Sequence, residues 1–221
     1  MNAIAIMAKA PIPNKVKTRL TPPLSPFEAS RLYHSFLLDK IEQVKSIEEA
    51  CPFMAYTPES SEYFFRNIIP PGFSLINQAG KDLGERLANI SHELFAKGAG
   101  KVVLLDSDTP NLPVDNIRNG LSRLNEADVV LGPCEDGGYY LIGMKAFIPE
   151  IFCGIPWSTA LVTEFTLKKV HDLGLTVSIL PVWYDVDTGK DLRRLMRDLE
   201  SLSNNCFFCK NTHSILSPMW I

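Results

Sequence analysis

Lys15, Lys17 and Arg19 stand at alternate positions in the loop that follows the apolar run Ala3–Met7 and the prolines Pro11 and Pro13. Backbone N–H groups of such a loop can surround a phosphate while the cations neutralise its charge. Arg19 offers a planar fork that grips two phosphate oxygens, and a lysine offers a mobile point charge. A cationic loop at the end of a first strand is where α/β folds hold phosphate. The chain contains neither Gly-x-Gly-x-x-Gly nor a P-loop, so the dinucleotide and Walker patterns do not apply. The competing reading is a solvated loop whose cations face water.

The acidic residues make a second pattern. Asp106 and Asp108 follow the wholly apolar Val102–Leu105. Carboxylates at the carboxyl end of a parallel strand lie at the mouth of the ligand crevice. There one or two of them typically bind Mg²⁺, with waters and ligand phosphates completing the shell. Asp-Ser-Asp-Thr-Pro is also good turn chemistry, but two acids exceed what a cap needs. Asp185 and Asp187 alternate as on one face of a short strand, and either can join Asp108 around a metal. They also read as solvent-facing acids beside a helix capped by Thr188. Gly137-Gly138 allows positive φ or close backbone approach, with Glu135 and Asp136 alongside. That stretch equally suits a hairpin turn.

The five cysteines, Cys51, Cys134, Cys153, Cys206 and Cys209, are odd in number and scattered, unlike a disulfide framework. Cys51, Cys134 and Cys153 sit among apolar or small residues and read as core thiols. Cys206-x-x-Cys209 with His213 is half of a zinc site or a redox pair. A second pair is missing, so a packed or frayed tail is the expected state.

These residues need a scaffold, and the hydrophobic pattern supplies one. Strand-like runs fall at Ala3–Met7, Pro52–Tyr56, Phe73–Ile76, Lys101–Leu105, Asp128–Leu131, Gly138–Ile142 and Thr176–Leu180. Helical patterns lie between them. Ser25-Pro26-Phe27-Glu28 has the form of a capped helix start, with Ala29, Leu32, Phe36 and Ile41 as its apolar stripe. Further helices are expected at Asp82–Phe95, Val114–Leu124, Ala160–His171 and Lys190–Leu202, the last capped by Thr188 with Asp191. Alternating β and α implies a mainly parallel sheet covered by helices. The period fades after residue 202, so residues 1–202 read as one domain and 203–221 as a C-terminal extension.

Bulk composition narrows the partners. Hydrophobic residues make up 46% and charged residues 21% of the 221, with net charge −3. These are values of a globular protein with no global field for nucleic acid. No apolar run approaches the ~20 residues of a membrane span, and the N-terminus lacks the features of a signal peptide. A cytoplasmic protein is expected.

Taken in order, the motifs resemble one bacterial group, the DUF2064 family, also labelled selenodomain-associated transferase 1. It is glycosyltransferase-A-like and related to the molybdenum-cofactor and phospholactate guanylyltransferases. The resemblance covers roughly residues 1–200. It rests on Ala8-Lys9-Ala10-Pro11 with Lys15-Val16-Lys17-Thr18-Arg19-Leu20, and on Gln78 with Asp82-Leu83-Gly84-Glu85-Arg86-Leu87. It continues through Asp108-Thr109-Pro110-Asn111-Leu112, Gly132-Pro133 with Glu135–Gly143, Pro156-Trp157-Ser158-Thr159, and Asp187-Thr188 with Asp191-Leu192.

The resemblance implies an α/β nucleotide-diphospho-sugar transferase fold: one domain with a mainly parallel, mixed sheet flanked by helices. It implies a divalent cation, Mg²⁺ or Mn²⁺, as cofactor. Carried over by position, Asp108 and Asp187 would bind metal, with Asp106 beside them. Ala8, Lys9, Lys15, Lys17, Arg19, Gln78, Arg86, Gly137 and Gly138 would line the nucleotide, and Lys17, Arg19 and Asp108 would carry the chemistry. The family usually has Gly where this chain has Asn14, and often Gly at Asp106. Asn tolerates left-handed φ better than most residues, so the turn at Asn14 is expected to survive.

Three functions follow as expectations. The first is a metal-dependent transferase using a nucleotide-diphospho-sugar, with an acceptor the sequence does not name. The second is a nucleotidyltransferase that joins a nucleoside triphosphate to a phosphorylated acceptor and releases pyrophosphate. The third is a non-catalytic nucleotide-binding scaffold. The basic loop favours the second, and the family's customary label favours the first.

Overall fold

The computed structural model describes residues 1–201 and 209–219. Seven strands form one sheet: β1 (Asn2–Lys9), β2 (Ala50–Thr57), β3 (Ser74–Asn77), β4 (Lys101–Leu105), β5 (Val129–Pro133), β6 (Tyr139–Met144) and β7 (Val177–Ile179). Their order across the sheet is β3-β2-β1-β4-β6-β5-β7. β1 pairs in parallel with both β2 and β4, whereas β6 runs against both β4 and β5. This is the mixed α/β sheet expected from the sequence. β1 and β4 sit where the chain changes direction across the sheet, and α/β folds bind ligands at the carboxyl ends of strands at such a point.

Both faces of the sheet are covered, which explains why the central strands are apolar throughout. Ile4, Ile6, Val103 and Leu105 belong to one core, while Ala3, Ala5, Val102 and Leu104 belong to the core on the opposite face. The first core is closed by α1 (Pro26–Lys45), α4 (Val114–Arg123) and α6 (Gly189–Ser201). The second is closed by α3 (Leu83–Ala96) and α5 (Val162–Asp172). Fully burying a Leu or Ile side chain contributes roughly 1.5–3 kcal/mol.

The helix starts behave as their residues dictate. Ser25 Oγ accepts from Glu28 N at 3.3 Å while Ser25 N donates to Glu28 Oε2 at 2.8 Å, a reciprocal cap on α1 with Pro26 at its first position. Thr188 N donates to Asp191 Oδ2 at 2.7 Å at the head of α6. A short helix, α2 (Glu62–Ile68), was not expected from the sequence. It spans two turns, buries only Phe65 and has no side-chain cap, too little pattern to read.

One correction concerns the cysteines. Cys51 and Cys153 are exposed, and only Cys134 of the three expected core thiols is buried. Cys51 lies at the less buried start of β2 and Cys153 just past a 3-10 turn, places where apolar neighbours in sequence do not mean burial. The expected boundary at 202/203 and Cys206 of the Cys-x-x-Cys pair lie outside the described residues. Beyond them, α7 (Lys210–Leu216) packs on α1. Asp39 makes that contact: its Oδ1 accepts from Asn211 N at 2.9 Å and its Oδ2 from Thr212 N at 2.8 Å, satisfying two orphan donors at the head of α7.

Candidate active site

The loop after β1 turns back on itself through two left-handed residues. Asn14 has φ 63°, so the left-handed turn expected to survive at this asparagine is formed. Lys17 has φ 48° and ψ 38°, immediately before a 3-10 turn at Thr18–Leu20. Val16 and Leu20 are buried on either side of it. This conformation sends the Lys17 side chain inward, not towards water.

Lys17 Nζ lies 2.6 Å from Asp108 Oδ1 and 2.7 Å from Asp187 Oδ1, with its side chain only 3% exposed. It also lies 5.9 and 5.8 Å from the ring centroids of Tyr33 and Phe36, so its inner side is aromatic. Burial pulls the ammonium pKa down, but the two carboxylates outweigh burial and hold it above the ordinary lysine range. Burial alone would raise the Asp187 pKa; Lys17 reverses that and holds it below the ordinary value. Arg19 approaches the same carboxylate at 3.8 Å and is 70% exposed.

α1 holds the loop that carries Asp108. Lys9 N donates to Tyr33 Oη at 3.1 Å, and Ser107 Oγ donates to Met7 O at 3.0 Å. With its proton spent there, Ser107 accepts from Tyr33 Oη at 2.8 Å. One chain of hydrogen bonds thus ties the ends of β1 and β4 to the helix. About two and three turns further on, Lys40 Nζ donates to Thr109 O and Thr109 Oγ1, both at 2.8 Å, and Gln43 Nε2 to Pro110 O at 2.6 Å. Val186 N donates to Asp108 O at 2.9 Å, joining the segment of Asp187 to the same loop.

The sequence-expected residues converge unevenly. Ala8, Lys9, Lys15, Lys17, Arg19, Gln78, Arg86, Asp106, Asp108 and Asp187 all line one cavity of about 510 Å³. Within it, Asp106 is turned to the fold: it accepts from Thr109 Oγ1 at 2.6 Å and lies 3.8 Å from Lys40 Nζ. Burial raises its pKa to about 6 despite Lys40. Gln78 spends its amide on the carbonyls of Ala8 and Ala55, at 3.0 and 2.6 Å, and so shapes the end of β1. Arg86 Nε donates to Gly80 O at 3.2 Å.

The two glycines separate. Gly138 lines a second cavity with Asp136, Trp157, Thr159 and Asp185, which shares Arg19, Asp106, Asp108 and Asp187 with the first. Gly137 is not among the lining residues of either. Its φ is 91°, and a Cβ there would stand 2.0 Å from Ala160 O, so this glycine serves backbone packing. The β5–β6 connection joins antiparallel strands, as the hairpin reading expected, and of its two glycines only Gly138 lines a cavity. Glu135 pairs with Arg194 at 2.7 Å, away from the acids of the cleft.

Sequence reasoning missed Tyr33, Lys40, Gln43 and Ser107. The available clue was polarity inside an apolar stripe: Tyr33 and Lys40 share a helix face with Phe36 and Leu37. It also missed the grouping of Cys134, Asp136 and Asp185, whose ligand-type atoms lie within 4.8 Å of one another. Asp185 carries a pKa raised to about 7 by burial and by the carboxylates of Asp136 and Asp187.

Comparison with known proteins places this chain in a family. The model of DUF2064, described as "Uncharacterized protein conserved in bacteria", matches residues 40–159. The chain belongs to the DUF2064 family. The matched stretch holds Asp106, Asp108, Gly137 and Gly138; the basic loop and Asp187 of this DUF2064 protein flank it on either side. A crystal structure from Desulfovibrio desulfuricans G20, named provisionally as a nucleotide-diphospho-sugar transferase, is 33% identical with a TM-score of 0.88. The match covers 100% of this chain and 99% of that one. The 2-phospho-L-lactate guanylyltransferase of Methanothermobacter thermautotrophicus is 24% identical over 184 residues, 81% of this chain and 78% of that protein. The fold is also that of CMP:2-keto-3-deoxy-manno-octonic acid synthetase complexed with CTP. That match has a TM-score of 0.60 at 12% identity and covers 91% of this chain and 99% of that one. Among the described residues, no helix is long and apolar enough to cross a membrane.

Proposed function

We propose that this DUF2064 protein is a nucleotidyltransferase that moves the nucleotidyl group of a nucleoside triphosphate to an acceptor and releases pyrophosphate. The observation that carries this reading is one cavity lined by Lys9, Lys15, Arg19 and Arg86 above a pair of converging carboxylates, Asp108 and Asp187. A triphosphate demands more positive charge than a single phosphate does, and the basic loop supplies it. The guanylyltransferase relative supports transfer of this type.

The donor set fits a divalent cation. Asp108 and Asp187 converge on one position, and a cation already fills it in the form of Lys17 Nζ. A divalent cation held by Asp108 and Asp187 would supply Lewis-acid charge at the phosphate oxygens. Lys9, Lys15 and Arg19 orient the triphosphate and stabilise charge that builds on the departing pyrophosphate. An ionised phosphate oxygen of a phosphorylated acceptor, which has no proton to lose, enters from the cavity of Asp136, Trp157 and Thr159 and attacks the α-phosphorus. The bond from the α-phosphorus to the bridging oxygen breaks, and its electron pair leaves with pyrophosphate. Tyr33, Lys40 and Gln43 keep the Asp108 loop in register through this step.

Sugar transfer from a nucleotide-diphospho-sugar is the second reading, favoured by the name of the D. desulfuricans relative. Thermal shift with the four nucleoside triphosphates and a set of nucleotide-sugars, each with Mg²⁺, separates the two. A ligand at a hundred times its Kd stabilises by about 2.7 kcal/mol. A shift with a triphosphate and none with a nucleotide-sugar is expected; the reverse pattern sinks nucleotidyl transfer.

A further inference from the structure

The ammonium of Lys17 fills the position on which Asp108 and Asp187 converge. It is 3% exposed, whereas the two carboxylates are 40% and 34% exposed. The cation therefore lies beneath its partners, and the carboxylates face the cavity. Its backbone is left-handed at a residue with a side chain, a conformation that persists only when the surroundings impose it and that gathers at functional sites. Val16 and Leu20, buried on either side, impose it here.

A divalent cation cannot take the same Oδ1 atoms as this ammonium, because like charges at such separations repel strongly away from bulk water. The ammonium must move for a metal to enter. Inward it meets the rings of Tyr33 and Phe36, which offer no acceptor for three N–H donors. Outward lies the cavity of Lys9, Lys15 and Arg86, where a polyphosphate offers oxygens. Water can solvate the displaced ammonium there, but a polyphosphate brings the dense anionic charge that offsets the loss of both carboxylates among the neighbouring cations.

We propose that Lys17 is a tethered counter-ion that closes the Asp108–Asp187 pair to a free divalent cation and yields it when a polyphosphate takes up the ammonium. Metal and polyphosphate are then admitted together, each raising the affinity of the other by the same factor. This rests on the reading of Asp108 and Asp187 as the metal pair, and it requires no particular reaction.

Two measurements on the full chain test it. Calorimetric titration with Mn²⁺ alone should give Lys17→Met an affinity at least tenfold above the wild type. That gain should vanish in Lys17→Met/Asp108→Asn, which separates the pair from the Cys134, Asp136 and Asp185 group. Lys17→Gln serves in the same titration if Lys17→Met does not fold. In the wild type, Mg²⁺ and inorganic tripolyphosphate together should raise Tm by more than the sum of their separate shifts, and Lys17→Met should lose the excess. Equal Mn²⁺ affinity in the wild type and Lys17→Met overturns the proposal, as does strict additivity of the two shifts in the wild type. Neither readout involves a nucleoside, a sugar or turnover. Failure of nucleotidyl transfer would therefore leave both intact, and failure of either would leave transfer open.

Discussion

The hydroxyl of Tyr33, on α1, donates to Ser107 Oγ at 2.8 Å and accepts from Lys9 N at 3.1 Å. One side chain thereby fastens the carboxyl ends of β1 and β4, the two strands that carry the basic loop and Asp108. Tyr33→Phe keeps the ring beside Lys17 and removes only this link. A part-buried N–H and a buried hydroxyl left without their partner cost about 1–3 kcal/mol. Urea denaturation should show that loss with an unchanged m value. A change below about 0.5 kcal/mol, the range of ordinary surface substitutions, would mean that the chain of hydrogen bonds holds nothing in place.

Lys40 tests the second support. Its side chain is fully buried, and its ammonium holds both oxygens of Thr109 while lying 3.8 Å from Asp106. Lys40→Met strands the Asp106 carboxylate in the interior. Breaking a buried pair from one side typically costs about 3–5 kcal/mol. Adding Asp106→Asn removes the stranded charge, so the double variant should recover part of that loss. A double-mutant cycle reads the coupling directly. Purely additive losses would refute an interaction between the two groups.

The architecture was legible because its signals are local. Each core strand is apolar on both faces, and Ser25-Pro26-Phe27-Glu28 states the start of α1 in four residues. The cleft was legible in part: Lys9, Lys15, Arg19, Asp108 and Asp187 line one cavity. The inward turn of Lys17 was not, since it depends on a left-handed backbone that a lysine does not advertise. Gln78 and Asp106 were placed in the right region, but their polar atoms serve β1 and Lys40. Such partners lie 23 to 70 residues away in sequence and are set by tertiary packing. α7 was hidden for the same reason, because its docking depends on Asp39 of α1.

Asp128 supplies a pH prediction at the far edge of the sheet. Its Oδ2 accepts from Thr176 N at 2.8 Å and Thr176 Oγ1 at 2.6 Å, and Lys145 Nζ lies 3.0 Å from Oδ1. The Thr176 hydrogen bonds, with help from Lys145, lower its pKa to about 2, against about 3.9 in an unfolded chain. A carboxyl with a depressed folded pKa stabilises fully above the unfolded value and loses that contribution as pH falls through the folded one. The stability gap between the wild type and Asp128→Asn should therefore be constant above about pH 5 and shrink between about pH 4 and pH 2. Chemical denaturation across that range measures it. A gap that widens on acidification contradicts the assignment.

Gly84 and Trp157 explain why two separated motifs occur together in this chain. A Cβ built on Gly84 would stand 2.5 Å from Trp157 Nε1 and 2.8 Å from Phe152 O. The indole therefore packs on bare backbone at the head of α3, and Trp157 lines the cavity beside Asp136 and Thr159. Ser158, next in the chain, is left-handed at φ 63°, so the turn has little freedom to retreat. Gly84→Ala gains helix propensity of about 1 kcal/mol, but overpacking costs typically 1–3 kcal/mol. The carbonyl of Phe152 cannot swing away as a side chain would, which puts the balance on the destabilising side. The variant should lose up to about 2 kcal/mol net and shift the tryptophan emission, because the indole is pushed towards the cavity. In the proposed arrangement, the same displacement should weaken acceptor binding more than triphosphate binding on the Lys15 side of the cleft. A variant as stable as the wild type with unaltered emission would show that Gly84 does not seat Trp157.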